Sequence, residues 1–313
     1  MSSIEVERIE AVAWSCEARR RVIRKAADRL VEFLLFVSAL GSVAVTCGIV
    51  AILFYESLGF FAHVSIVEFL TDTMWTPLFA DARYGILPLV AGTFVTTAVA
   101  LAVALPIGTI VAVYLSEFAP GTLREIVKPV LELLSAVPTV VYGYFALVFV
   151  APLLQKVIPN LPTFSMLSAG IVMGVMIIPY VSSLSEDAMR AVPTLLREGS
   201  YALGANQVQT SFKVVFPAAI SGVGAAYILG ISRAIGETMI VAIAAGMQPN
   251  FTLDPRQPAA TITAYIVQVS LGDLPHGSIG YQSIFAAGLV LFFMTLFFNL
   301  VGHYLRRRYR EVY

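Results

Sequence analysis

Charge is scarce in this chain of 313 residues: 13% are Asp, Glu, Lys or Arg, against about 25% in an ordinary soluble domain. That shortage excludes a globule of this size covered by solvent. Histidine occurs three times, as His63, His276 and His303, scattered near loops and chain ends. No metal spacing and no paired Asp/Asp or Ser/His set at membrane depth accompanies them, which argues against an intramembrane enzyme. Cysteine occurs twice, Cys16 ahead of the first apolar run and Cys47 inside it, so no disulfide framework is expected. The Gly-x-x-x-x-Gly-Lys-Ser/Thr loop that cradles nucleotide phosphates is missing. Alternating segments of about ten residues, the mark of a membrane β-barrel, are missing as well.

Apolar length is what the sequence has instead, with 58% hydrophobic residues. A helix needs roughly 20 apolar residues to cross a bilayer. Six stretches qualify: 33–54, part of 84–115, 133–154, 167–184, 218–243 and 284–301. Lipid offers no partner for open backbone groups, so these stretches must be helices. The expected fold is all-α, a polytopic bundle of six spans over 30–305. A basic segment 1–29 precedes it, read either as an interfacial helix or as a plain positive flank, and a basic tail 306–313 follows. The first stretch is too long for the apolar core of a signal peptide and reads as a retained anchor. Trp75 and several Phe residues in the loop before residue 84 suit a membrane interface. The long loop 246–281 holds a stretch, 261–271, that can form a short helix.

Basic residues in short loops mark the cytoplasmic side. Sixteen fall before the first span, between spans two and three, between four and five, and after the sixth; only Arg83, Lys156 and Arg256 fall on the other side. Both termini are therefore expected in the cytoplasm, with the chain a multi-pass protein of the bacterial inner membrane.

The most specific pattern lies in the loop 189–217, between spans four and five. It reads Arg197-Glu198-Gly199-Ser200-Tyr201-Ala202-Leu203-Gly204, nine further residues, then Val214-Val215-Phe216-Pro217. Thr194 suits an N-cap, Gly204 a left-handed helix end, and Asn206 with Gln209 a second capping pair. Pro217 marks entry into the membrane. This helix-turn-helix resembles the "EAA" coupling motif of binding-protein-dependent ABC importer permeases: Glu-Ala-Ala, three residues, Gly, nine residues, Ile-x-Leu-Pro. Glu198, Gly204 and Pro217 match, while Gly199 and Ser200 replace the alanines and Val214 and Phe216 replace Ile and Leu. The resemblance implies that Glu198, Gly199, Ser200, Ala202, Leu203, Gly204 and Pro217 couple the spans to a separate ATP-hydrolysing subunit.

The fifth stretch carries Ser232-Arg233-Ala234-Ile235-Gly236-Glu237-Thr238. A charge at that depth costs roughly 2.5–3.5 kcal/mol on insertion scales, which makes it a functional-site candidate. Arg233 and Glu237 stand four apart, on one helix face and within pairing reach. The pair reads either as a structural bridge or as an arginine that meets a transported anion with Glu237 tuning it. Arginine suits a tetrahedral oxyanion because its planar fork donates paired hydrogen bonds. Beside that face runs a small-residue seam, Ala218, Gly222, Ala226, Gly230 and Ala234, at a spacing that lets helices approach closely. In the third stretch Pro138 is expected to kink the helix, with Thr139 and Tyr142 adding hydroxyls.

Three segments are similar to phosphate importer permeases of the PstC type: 85–93, 136–143 and 230–239. The similarity extends over 84–305 and implies an inorganic phosphate importer whose pathway residues include Arg233, Glu237, Ser232, Thr238, Thr139 and Tyr142. It implies as partners a second permease of the PstA type, two ATP-binding subunits of the PstB type and an external phosphate-binding protein of the PstS type. ATP and Mg would be used by those subunits, with no cofactor in this chain, no catalysis by it and no nucleic acid. Sulfate, molybdate or tungstate permeases are the alternative substrates, and a passive anion channel the alternative class. The basic asymmetry makes a direct prediction. A reactive probe that cannot cross the membrane should fail to label a cysteine placed after residue 308 in intact cells, and labelling there would overturn the topology.

Overall fold

The computed structural model describes residues 3–79 and 81–308. The side chains of residues 1–27 and of Arg306 lie outside that description, as do residues 309–313. The expected interfacial behaviour of segment 1–29 and most of the basic tail therefore fall outside it. Among the described residues regular structure is helical, apart from two isolated bridges, Trp75 to Tyr84 and Gly246 to Ala259. The chain divides into a unit ending at Tyr55 and a unit beginning at Glu56. Helix α1 (Ser3–Phe61) passes through that division. Its stretch Asp28–Phe61 is apolar and long enough to cross a bilayer, and Phe33, Leu35 and Val45 expose their side chains as lipid-facing residues do.

The second unit begins with short α2 (Ile66–Thr71) and long α3 (Leu87–Val113). Next come α4 (Gly121–Ala136), α5 (Thr139–Phe145) and α6 (Ala151–Val157), the last two joined by a π-turn into one span. Helix α7 (Met166–Arg190) is followed by a hairpin of α8 (Thr194–Ala202), α9 (Gln207–Thr210) and α10 (Phe216–Ala218). Helix α11 (Ile220–Ile235), short α12 (Met239–Ala244), α13 (Ile262–Gln268) and α14 (Ile279–Arg308) complete it. Residues 207–218 and 220–235 meet at a 72° bend just after Pro217; counted as one span, they bring the total to six.

Small residues set the helix spacing. A Cβ on Gly174 would lie 2.7 Å from the Ala100 carbonyl oxygen, and one on Gly170 2.7 Å from the Val99 side chain, so α3 and α7 meet backbone to backbone. The seam on α11 does the same against α7, with Gly222 facing Ala188 and Gly230 facing Val181. Without a hydrophobic force between helices in lipid, such close contact is what holds them. Gly85 and Gly92 follow the same logic: a Cβ at either would meet backbone oxygens, of Asp72 at 2.2 Å and of Ala260 at 2.3 Å.

Three sequence expectations are corrected. Trp75 is not an interface residue. It is 1% exposed and packs edge-on to Phe69, Tyr84 and Tyr265, because α13 folds inward and roofs the aromatic cluster. Pro138 does not kink a continuous span but separates two helices. Val137 is extended (ψ 131°), as a residue before proline tends to be, and α4 ends at Ala136. The fifth span is also broken: α11 stops at Ile235 and α12 restarts at Met239.

The seam gives a paired test. A Cβ at Gly222 would lie 2.4 Å from that of Ala188, whereas one at Gly224 meets nothing within 4 Å. Overpacking of this kind costs about 1–3 kcal/mol. Gly222→Val should lower the melting temperature of the detergent-purified protein, and Gly224→Val should leave it unchanged. Equal effects would refute the α7–α11 contact.

Candidate functional site

The two helix breaks lie close together, because α5 packs on α12: a Cβ at Gly143 would approach the Ile240 Cα to 3.2 Å. Arg233 ends α11 beside this junction. Among the described residues it has no ion pair, and its Nε is buried without a hydrogen-bond partner. Its guanidinium lies 4.2 Å from the ring centroid of Tyr180. Both residues are half-buried, and a contact of that kind is worth about 0.5–2 kcal/mol. Tyr180 sits near the middle of α7, about 15 Å from Arg190 at 1.5 Å per residue. The charge is therefore held at mid-depth of the bundle.

The expected Arg233–Glu237 pairing is absent. An i, i+4 pair needs an intact helix, and this one ends between the two residues. Glu237 is 8% exposed and turns the other way. Its Oε1 accepts from the backbone N–H groups of Met239 (3.1 Å) and Ile240 (3.4 Å), capping α12. Its backbone carbonyl accepts from the Thr263 hydroxyl at 2.7 Å. Thr238 donates to the Gly236 carbonyl, and Ser232 reaches Asn299 on α14 at 3.4 Å. Tyr142 donates to the Leu134 carbonyl at 2.7 Å, so its hydroxyl staples the Pro138 break rather than standing open. Thr139 lies half-buried in the first turn of α5. The structure thus brings Arg233 together with Tyr180, which the sequence reading missed. Proline next to tyrosine in the centre of span four was the available signal.

The α8–α10 hairpin is built as its sequence suggests, with one change. Gly204 takes φ +83° and ends α8. Asn206 and Gln209 form a reciprocal capping box. Ser200 and Thr210 share a 2.9 Å hydrogen bond across the turn. Thr194, however, is the first residue of α8 and caps nothing; Pro193 precedes it as N-cap. Glu198, Gly199, Ala202 and Leu203 are exposed, as are the apolar Leu195 and Tyr201.

Arg197, on the inner face of α8, clamps the hairpin to the spans. It donates from Nε and Nη2 to Glu117 at 3.2 and 2.9 Å, and to the Met189 and Val192 carbonyls at 2.9 and 2.7 Å. Glu117 follows α3 directly, so one guanidinium joins three elements. A second cluster sits beside it. Fully buried Glu186 near the end of α7 accepts from Arg124 (2.7 Å) and Lys128 (2.9 Å), both on α4.

Over residues 104–311 the chain matches the family of binding-protein-dependent transport system inner membrane components. The chain belongs to that family. Its relatives include a probable ABC transporter permease protein, YqgH, of Bacillus subtilis, 38% identical over 78% of this chain and 79% of that one. The phosphate transport system permease protein PstC of Xylella fastidiosa is 33% identical over 73% and 75%. Among solved structures, a bacterial ABC transporter involved in the import of the acidic polysaccharide alginate superposes with a TM-score of 0.62 over 92% of this chain and 100% of the other, at 15% identity. That likeness establishes the fold. The permease family assignment covers the hairpin, the α11–α12 break and Arg233 together.

The clamp makes a quantitative prediction. Removing one partner of a buried ion pair typically costs about 3–5 kcal/mol. Arg197→Ala should therefore destabilise the protein strongly, and adding Glu117→Gln should recover much of the loss. Thermal unfolding in detergent measures both, and equal melting temperatures for the single and double variants would refute the clamp.

Proposed function

We propose that this chain is one of two pathway-forming permease subunits of an ATP-driven importer of inorganic phosphate. The similarity to a phosphate permease protein supports the substrate class. The observation that carries the reading is Arg233, an arginine at mid-depth with its Nε unpartnered and an aromatic ring as its neighbour. A fixed cation without a carboxylate attracts an anion and offers it paired donors.

In this reading both termini and the α8–α10 hairpin face the cytoplasm. Two ATP-binding subunits, which use ATP and Mg, dock on the hairpin. Its exposed Leu195, Tyr201 and Leu203 support that role, since apolar side chains on a rigid knob suit a partner's groove. An external binding protein delivers phosphate, and a second similar permease completes the pathway. This chain holds no cofactor and performs no catalysis. Movement of the hairpin reaches α3 and α7 through Arg197 and so changes access to the centre at Arg233. Gly204, in its left-handed conformation, fixes the hairpin's turn.

Radiolabelled phosphate uptake into vesicles holding the complete transporter tests the substrate, with sulfate and molybdate as competitors. Phosphate accumulation resistant to both is expected; uptake of either in its place would assign another oxyanion. Arg233→Gln strands no carboxylate, so the complex should assemble with wild-type stability while uptake falls at least tenfold. Arg233→Lys should recover little, because a point charge lacks the fork geometry. Near-normal uptake by Arg233→Gln would refute the anion-contact role.

A further inference from the structure

Arg233 and Tyr180 meet because of the seam between their helices. A Cβ at Gly230 would lie 3.2 Å from the Val181 side chain and 3.4 Å from that of Ile177, so α11 and α7 touch less than one turn before Arg233. Ile177 and Val181 belong to the buried core, whereas Tyr180 beside them is half-buried and stands outside it. One side of Tyr180 borders a cavity of about 290 Å³, shared with Ser135, Ser183 and Leu229. The ring therefore does not fill the core. Its polar neighbours are the Arg233 guanidinium, 4.2 Å from the ring centroid, and the Ser135 carbonyl, which accepts from its hydroxyl at 3.5 Å. Helix α4 ends at Ala136, so that carbonyl is one that a helix end leaves unsatisfied.

Arginine is long and flexible, and an unheld guanidinium loses much of its rotamer freedom when it meets a ligand. The polar residues that follow or flank Arg233 hold other things. Glu237 caps α12, Ser232 reaches Asn299, and Thr238 donates to the Gly236 carbonyl. Among the described residues Arg233 has no hydrogen bond or ion pair, which leaves the Tyr180 ring as its anchor. A ring grips a guanidinium by its face, whereas an oxyanion takes the in-plane N–H groups at its edge. The anchor thus restrains the cation without using the donors. Restraining a binding group before its ligand arrives lowers the cost of binding.

We infer that Tyr180 is a positioning residue of the transport pathway, whose ring holds the face of the Arg233 guanidinium and keeps its edge ready for an oxyanion. The inference rests on the anion-contact reading of Arg233 and deepens it by naming the residue through which that contact is prepared.

The initial rate of phosphate uptake into vesicles holding the complete transporter tests it. Tyr180→Phe keeps the ring, and uptake should stay within about twofold of the unmutated rate. Tyr180→Leu removes the ring; because the side chain borders a cavity and not the core, the complex should assemble, and uptake should fall by about fivefold or more. Phenylalanines carrying one, two and three ring fluorines at position 180 keep the shape while drawing charge from the ring face, so uptake should fall step by step along the series. A ring that only fills space gives equal uptake across the fluorinated forms. That result would overturn the inference, even if Tyr180→Leu failed to assemble. Unchanged uptake by an assembled Tyr180→Leu would overturn it as well, as would a loss in Tyr180→Phe equal to that in Tyr180→Leu, which would assign the role to the hydroxyl. Arg233→Gln separates this from the broader reading. A large loss of uptake there, with a flat fluorine series, would sink the role of Tyr180 alone. Near-normal uptake there, or none by the unmutated transporter, would sink both.

Discussion

A backbone opened inside a membrane must satisfy its own polar groups, because no water is available to do so. This chain opens its backbone twice near one place, at Val137–Pro138 and again between Ile235 and Met239. Much of the surrounding structure answers that demand. Tyr142 reaches back across the first break to the Leu134 carbonyl. Glu237 turns its carboxylate onto the N–H groups that begin α12, and Thr263 covers the Glu237 carbonyl. Thr263 is in place because the loop after α12 folds inward. There Thr261 caps α13, Thr93 accepts from the Ile262 N–H, and Gly92 lets that backbone approach. A loop that looked external in the sequence is thus recruited to close a break in the bundle.

Helix α7 links this centre to the hairpin. Its glycines admit α3 on one side, its small residues admit α11 on another, and its last turns carry Glu186 and the carbonyls that Arg197 grips. Close backbone contact makes such a pair of helices stiff, since close-packed interiors transmit strain instead of absorbing it. A displacement at α8 therefore has a continuous path through Arg197 to Glu117 and α3, and along α7 to Tyr180. The hairpin is pinned on its inner face by charge and left apolar on its outer face.

Features that depend on local chemistry were legible in the sequence. Apolar length gave the spans, six among the described residues when the bent pair 207–218 and 220–235 counts as one, and the offsets of Gly204, Asn206 and Gln209 gave the hairpin, because left-handed glycine and capping boxes are short-range devices. The small-residue seam also held, since helical periodicity alone places it on one face. Non-local features were not legible. Trp75 reads as an interface residue until α13 is seen to cover it. The Arg233–Glu237 pair failed for a subtler reason. Spacing rules assume a continuous helix, but α11 ends at Ile235 and the Glu237 carboxylate accepts from the Met239 and Ile240 N–H groups that begin α12.

That failure bears on how the site could work. A buried Arg–Glu pair resists the loss of either partner, and an incoming anion would have to displace the carboxylate on every cycle. Tyr180 is a weaker occupant of the guanidinium face. Its quadrupole offsets part of the desolvation of the cation, by about 0.5–2 kcal/mol, while leaving the in-plane donors, including the buried Nε, without an acceptor among the described residues. A charge-assisted, bidentate contact to an oxyanion uses those in-plane donors and leaves the ring contact intact. The ring and the anion therefore do not compete for the same face of Arg233. The break that removed Glu237 from Arg233 is what left the edge of the guanidinium open, so the conformational irregularity and the unneutralised charge are one feature of the structure.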